Sequence, residues 1–331
     1  MKSHFFRFVS LFLLTLVLIT ACDRTPSVTP QSEAPPALTL AYSLWPGYFP
    51  LVIAQEKGFF TQQGVKVELV YSENHQAPLS DFSAGKYDGM AITLGSFMSS
   101  IDKITGSQIV LITDRSTGAD AIVAQPTIQS VSDLKGKRIG VKLGNFGELF
   151  VTKMLEQNGL DPKDVTLVNL EAESIVQSLK NGNIQAGQTW QPYVFQAVQS
   201  GKKVLFTSKQ TPGLIPDVVV FRSNVLRERP DDVRAFIRAY FQAQDYWKTN
   251  PEETKTLIAK TLNLKPEEIS TQGLELQDLK NNLAALTPGS TTESLYYTAQ
   301  LYADFYTRTG GLSTAPDIQK LIDPSFVQQL Q

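Results

Sequence analysis

The chain has 331 residues, with 30 Lys and Arg against 32 Asp and Glu and a formal net charge of −2. That length has room for two domains of ordinary size, and an apolar share of 42% is that of a soluble globular protein able to bury a large core. The charge balance, with no long run of either sign after the N-terminus, leaves no electrostatic footprint for nucleic acid.

The first residues differ from the rest. Lys2 and Arg7 precede an uncharged apolar run from Phe8 to Ala21, and Cys22 follows. The run is shorter than the roughly 20 residues of a spanning helix, so residues 1–21 are expected to be an export signal, with an uncleaved N-terminal anchor as the alternative. Both readings place the remainder outside the cytoplasm, on the periplasmic or extracytoplasmic face of the cell membrane. Cys22 is the only cysteine, and Ile19-Thr20-Ala21-Cys22 resembles a bacterial lipobox. That resemblance implies cleavage before Cys22 and lipid on its sulfur and new N-terminus. No other thiol exists to form a disulfide, a thiolate metal site or a Cys nucleophile. Asp23 to Pro36, DRTPSVTPQSEAPP, is polar and dense in Pro, Ser and Thr. Residues 22–37 therefore read as a lipidated cysteine and a flexible tether, with a reach on the order of 20 Å or more.

From Leu38 onward, strand-like and helix-like runs alternate. LTLAYS (Leu38 to Ser43), VKVELVY (Val65 to Tyr71), DGMAIT (Asp88 to Thr93) and QIVLIT (Gln108 to Thr113) read as strands. Helices are expected between them at Pro50 to Lys57, near Ala77 to Ala84, and at Ser96 to Ile104. A second series follows: strand Arg138 to Lys142, helix Gly147 to Asn158, strand Val165 to Leu170, helix Ser174 to Lys180 and strand Ile184 to Trp190. The two series rhyme, since SAGKYDGMAIT and KNGNIQAGQTW each carry a helix end, a Gly and a strand that reaches a Thr. The expected class is α/β, with two similar lobes, each a mostly parallel sheet flanked by helices. After DVVVF (Asp217 to Phe221) strand signals largely disappear. Val233, Phe236, Ile237, Tyr240 and Phe241 stand at helical spacing, and Pro251, Pro266 and Pro288 divide the rest into further helices. The expected organisation is residues 38–122 as the first part of lobe 1, 123–217 as lobe 2, and 218–331 as the return to lobe 1 with C-terminal helices. Two crossing segments, near Ala121 to Thr127 and Pro216 to Phe221, would join the lobes.

Loops at the strand ends carry the candidate site. Pro50 is suited to begin a helix, which aims its free N–H groups and positive dipole end at Trp45 to Phe49, beyond the first strand. In open α/β sheets ligands bind in this crevice. The same arrangement recurs at Thr93, Gly95 and Ser96, at Asp114 to Ser116, at Gly144 to Glu148 with Asn145 in the turn, and at Trp190 to Tyr193.

Five segments together resemble the substrate-binding proteins of ABC importers for sulfonates, taurine, nitrate and the thiamine pyrimidine precursor: PLVIAQEKGFFTQQGVKVELV, LSDFSAGKYDGMAIT, VSDLKGKRIGVKLGN, LVNLEAESIVQSLKNGNIQAGQTWQPY and DVVVFRSNVL. The resemblance covers nearly all of Leu38 to about Thr261, and its strength is the order of all five segments. It departs at Gln185, where the family often has an acidic residue, as Asp88 is in the first lobe. The resemblance implies a two-lobed type II periplasmic-binding-protein fold that acts as a monomer, closes on a small solute and hands it to a membrane permease, without cofactor or catalysis. Relatives of the fold include a pyrimidine-forming yeast enzyme with a Cys-rich motif, which this chain lacks.

The residues expected to bind ligand are Trp45, Tyr48, Thr93, Gly95, Ser96, Asp114, Asn145, Glu148, Trp190 and Asp217. Each also has a plainer reading. Trp45, Tyr48 and Trp190 would pack as loop anchors instead of walling the pocket; Thr93, Ser96 and Asn145 would cap helices. Asp114 would close a turn, Glu148 would serve a helix dipole, and Asp217 would bond a hinge backbone. Taken together, the three acids favour a zwitterion such as taurine or an amino-sulfonate over a bare anion. A thiamine pyrimidine precursor, nitrate or bicarbonate, or service as a ligand-responsive partner of a membrane sensor, remain alternatives. Phe146 and Tyr193 are weaker candidates, and Arg115 stands outside the first rank. His75 is the only histidine outside the signal, so no ordinary zinc site is expected.

Overall fold

The computed structural model describes residues 36–72 and 77–330. The expected signal, Cys22, most of the tether and His75 lie outside the described residues.

Among the described residues eleven strands form two sheets. In chain order they are β1 (Leu38–Ser43), β2 (Val67–Ser72), β3 (Gly89–Thr93), β4 (Ser107–Ser116), β5 (Asp120–Ala124), β6 (Arg138–Val141), β7 (Thr166–Asn169), β8 (Ala186–Trp190), β9 (Lys203–Thr207), β10 (Pro216–Arg222) and β11 (Leu274–Leu276). The first sheet has the order β11-β4-β10-β3-β1-β2 and the second β7-β6-β8-β5-β9. Helices pack on both, which gives the two-lobed architecture. The central strands are near-continuous runs of Val, Ile, Leu and Ala, as sheets covered on both faces require.

The two lobes share a local device. In the first, Asp88 Oδ2 accepts a hydrogen bond from the Thr39 amide at 2.9 Å, and in the second, Gln185 Oε1 accepts from the Arg138 amide at 3.1 Å. Gln185 thus does with an amide what Asp88 does with a carboxylate, and the sequence rhyme has a structural counterpart.

The passages between sheets differ from expectation. Ala121 to Ala124 belongs to β5, paired antiparallel with β8 and β9, and Pro216 to Phe221 belongs to β10, paired antiparallel with β3 and β4. The chain changes sheet earlier on both occasions, between Ser116 and Asp120 and between Thr207 and Pro216. A short apolar run reads equally as a connector or a buried strand, and pairing decides which it becomes. β9 and β11 also went unmarked in the sequence; β11 has three residues and exists only through its pairing with Asp114 to Ser116.

Hydroxyl groups lace the two crossings together. Ser116 Oγ lies 2.8 Å from Ser208 Oγ, which also accepts from the Gly118 amide at 2.7 Å, and Ser116 Oγ accepts from the Asp120 amide at 3.1 Å. A third segment braces them, because the Gly273 carbonyl accepts from the amides of Thr117 (2.7 Å) and Ala119 (3.1 Å).

The C-terminal part returns to the first sheet. Helix Pro230–Thr249 packs on helix Phe49–Glu56, and Phe236 stacks on Phe60 with ring centroids 5.4 Å apart. The outer edge of β4 is satisfied beyond β11 by the buried Asn282, whose Oδ1 accepts from the Ile112 amide (2.8 Å) and whose Nδ2 donates to the Ile112 carbonyl (2.9 Å). An exposed edge strand would be a site of aggregation, and these contacts close it.

Gly273 has φ +80°, and a Cβ there would lie 2.5 Å from the Ala119 nitrogen. Gly273→Ala is therefore expected to lower stability by about 2 kcal/mol or more through the left-handed backbone and the collision, seen as a lower midpoint in urea denaturation.

Candidate functional site

The strand directions bring several loops to one place. β1, β3 and β8 run toward the space between the sheets and end there at Ser43, Thr93 and Trp190, while β5 and β10 begin there with Asp120 and Asp217. The residues around this space line a cavity of about 70 Å³. Trp45, Tyr48, Thr93, Ser96, Asn145, Trp190 and Asp217, all expected from the sequence, line it together with Asp120 and Phe146.

Trp45 and Tyr48 project from a single turn of 3-10 helix, Pro46–Tyr48, that leads into helix Phe49–Glu56. Each ring holds a carboxylate. Trp45 Nε1 donates to both oxygens of Asp114, at 3.1 and 3.2 Å, and Tyr48 OH donates to Asp217 Oδ1 in a short bond. Thr93 Oγ1 donates to the same Asp217 oxygen at 3.1 Å. The aromatic loop is therefore both anchor and wall: the polar tips point at buried acids while the rings face the cavity.

Opposite them stands the second lobe. Asn145 caps helix Phe146–Gln157, its Oδ1 accepting from the Phe146 amide at 2.6 Å. The same oxygen accepts from Ser96 Oγ at 2.9 Å, a direct bond between the lobes. The Trp190 ring lies 5.8 Å from the Phe146 ring, centroid to centroid. The expected cap residue of the preceding lobe is corrected: helix Leu94–Ser99 begins directly at the end of β3 with Thr93 as its cap position, so Ser96 lies inside the helix and turns its hydroxyl across the cleft.

Three expected residues do not line the cavity. Asp114 is fully buried behind Trp45 in the middle of the β4 sheet region, where Thr113 Oγ1 also donates to it at 2.9 Å. Glu148 Oε2 accepts from the Gly144 amide at 2.7 Å and so closes the turn before its own helix. Gly95 lies where a Cβ would come within 2.5 Å of Phe146 Cβ and 2.6 Å of a Tyr302 ring carbon, so a close approach of the second lobe requires glycine there. Arg115 turns away, its guanidinium donating to the Glu293 carbonyl.

Asp120 escaped the sequence reading, because Thr117-Gly118-Ala119-Asp120 looks like an ordinary turn. The signal that marks it is its likeness to Asp217: each is an Asp directly before a short buried run, AIVA in one case and VVVF in the other. Ser43, Ile215 and the residues Met90 to Ile92 were also missed; they line the cavity as ordinary strand and crossing residues.

The electrostatics are one-sided. Burial pushes the Asp217 carboxyl up to about 7, against the lowering effect of the Tyr48 and Thr93 hydrogen bonds. Burial likewise pushes Asp120 up to about 7; Ser116 lowers it and the charge of Asp217 raises it. Asp114 is raised well above the usual carboxylate range, first by burial and then by Asp217. No Lys or Arg is among the residues that line the cavity. Among the described residues no cluster of His, Cys, Asp and Glu is arranged to hold a metal ion, and no helix is long and apolar enough to cross a membrane.

The family model described as NMT1/THI5 like matches residues 45–254. The chain belongs to that family. Over 290 residues, 85% of this chain and 84% of the relative, the NMT1/THI5-like chain is 26% identical to a protein of Bacillus subtilis (strain 168) named as an aliphatic sulfonates-binding protein. It is 29% identical over 171 residues, 49% of this chain and 52% of the relative, to the taurine-binding periplasmic protein of Escherichia coli (strain K12). The crystal structure of the periplasmic aliphatic sulphonate binding protein SsuA from Escherichia coli superposes with a TM-score of 0.72 at 17% identity, covering 89% of this chain and 100% of that one. That likeness shows the periplasmic-binding-protein fold.

Removing the Tyr48 hydroxyl deletes a donor that favours the ionised form of Asp217. Tyr48→Phe is expected to move the Asp217 carboxyl to still higher pH, read by 13C NMR titration of labelled aspartate, and to cost about 1–3 kcal/mol of stability.

Proposed function

We propose that the protein is the extracytoplasmic solute-binding component of an ABC importer, tethered to the membrane by lipid at Cys22, and that its solute is a small amine-bearing zwitterion of the taurine or amino-sulfonate kind. The observation that carries this reading is the cavity between the two sheets: small, walled by Trp45, Trp190 and Phe146, and furnished with carboxyl groups but no basic side chain among its lining residues. A bare anion such as nitrate or bicarbonate would meet carboxylates with no counter-charge, which is costly in a buried site. In a zwitterion the ammonium group would lie toward Asp217, and its anionic end toward Asn145, whose Oδ1 is taken by Ser96 and the Phe146 amide while its Nδ2 supplies a donor. The names of the sulfonate- and taurine-binding relatives support the same class of solute.

A second reading is a flat aminopyrimidine of the thiamine-precursor kind. The aromatic lining of Trp45, Phe146 and Trp190 favours it, since rings bury flat apolar surface well and several ring-bound N–H groups suit the acids.

The mechanism in either case is a shift of population. The Ser96–Asn145 bond joins the lobes across the cleft, and a solute touching both sides would favour the shut form by its excess affinity for it. The shut form is then what the permease recognises.

The reading is tested by titrating the purified chain with taurine, alkanesulfonates, nitrate, bicarbonate and an aminopyrimidine while following Trp fluorescence and melting temperature. An amine-bearing member is expected to bind and be recovered unchanged, and Trp190→Ala to weaken it about tenfold or more. A well-folded protein that responds to none of them would remove the class. For the anchor, Cys22→Ser is expected to shift the chain from the membrane fraction to the soluble extracytoplasmic fraction.

A further inference from the structure

Asp120 and Asp217 occupy corresponding places in the two lobes. Each stands at the start of the strand that enters its sheet from the other lobe, and each pairs with the last residue of a neighbouring strand: Asp120 with Trp190 of β8, Asp217 with Thr93 of β3. Both line the cavity, and they are only 1% and 2% exposed. Their surroundings are unequal. Asp217 accepts from two hydroxyls. Asp120 Oδ1 lies at the long distance of 3.5 Å from Gln188 Nε2, the Ser116 hydroxyl favours its ionised form, and Oδ2 is buried with no hydrogen-bond partner among the described residues.

The charged and titratable groups around this pair are acids and phenols. Asp217 and Asp114 face it from β10 and β4; Tyr48 faces it from the aromatic loop; Tyr240 and Tyr302 from the C-terminal helices all feel these carboxylates and are held in their neutral form. Arg115, beside Asp114 in the chain, lies among Glu275 and Glu293 and donates through Nη2 to the Glu293 carbonyl. A buried carboxylate oxygen without donor or counter-charge is expensive, and such groups in a cavity mark a missing partner.

We propose that Asp120 and Asp217 form a clamp of one carboxylate from each lobe, that the solute supplies its missing positive charge, and that Asp120 is the anchor for the solute's cationic nitrogen. The inference deepens, and rests on, the reading of the cavity as a solute site. A solute nitrogen between the two acids neutralises their repulsion across the cleft and gives Asp120 Oδ2 its donor, so charge and closure are satisfied in the same step. Protons compete for the same place. With both carboxyls pushed up to about 7 by burial, acid conditions fill the pair with protons and a cation is bound weakly; above that range the ionised pair binds it tightly. For the empty protein the sign is the reverse. The folded values lie above the ordinary 3.8, so stability from this pair is complete below about pH 4 and is lost as pH rises through about 7.

Two measurements on the full chain test the clamp. In the first, wild type and Asp120→Asn are melted without ligand from pH 5 to pH 8. The wild type is expected to lose melting temperature as pH rises, and Asp120→Asn to flatten that slope and melt at least about 2 °C higher at pH 8. Identical slopes would overturn the proposal. In the second, taurine, ethanesulfonate and an aminopyrimidine are titrated at pH 6 and pH 8. Probes with an amino group are expected to bind better at pH 8, and Asp120→Asn to weaken them by about thirtyfold or more. Ethanesulfonate, which has taurine's skeleton without the amine, is expected to bind far more weakly. Ethanesulfonate binding as tightly as taurine, or tighter binding by Asp120→Asn, would overturn the clamp while leaving the protein a solute receptor. Silence from every probe would instead remove the solute class proposed above, and the ligand-free melts would still decide the clamp.

Discussion

A chain that leaves one sheet for another re-enters at the face between them, so the strand it forms there must run against its neighbours. β5 and β10 are the two strands made in this way. Their first residues fall at the cleft, whereas β1, β3, β6 and β8 end there. The floor of the site therefore combines strand ends, with their loops and helix starts, and strand beginnings, with whatever side chains the two crossings deliver. Asp120 and Asp217 are what they deliver.

That arrangement sets the energetics of the cleft. Three carboxyls are buried close to one another, and the protein answers them with neutral donors: an indole N–H for Asp114, a phenol and a threonine hydroxyl for Asp217, and almost nothing for Asp120. Hydrogen bonds from neutral groups reduce the desolvation cost of a carboxylate without cancelling its charge. The aromatic loop of Trp45 and Tyr48 is thus explained by two demands at once. A large ring is needed to wall the cavity, and a polar tip is needed to satisfy an acid behind it.

Much of this was legible in the sequence, and the reasons for the rest are physical. Parallel strands followed by helices carry strong local signals, which is why β1, β3, β6 and β8 and the loops after them were readable, and with them Trp45, Thr93, Asn145 and Trp190. β11 has three residues and no pattern of its own; it is a strand because the edge of β4 offers unpaired groups. β5 has the composition of either a strand or a connector, and only its fit between β8 and β9 settles the matter. Asp120 was hidden for the same reason, since a residue that opens an unrecognised strand looks like part of a turn. Asp114 and Glu148 were visible as acids at strand and helix ends, but sequence does not say whether a carboxylate looks into a cavity or back into its own lobe.

Gly95 has a consequence of another kind. With hydrogen in place of a side chain, the backbone at Gly95 sits close to Phe146 of the second lobe and to Tyr302 of helix Leu295–Thr309, and a Cβ there would come within 2.5 Å of the first and 2.6 Å of the second. A methyl group there would act as a wedge between the two halves. The spacing of the two halves is therefore adjustable at a residue outside the cavity lining, without rebuilding the polar floor.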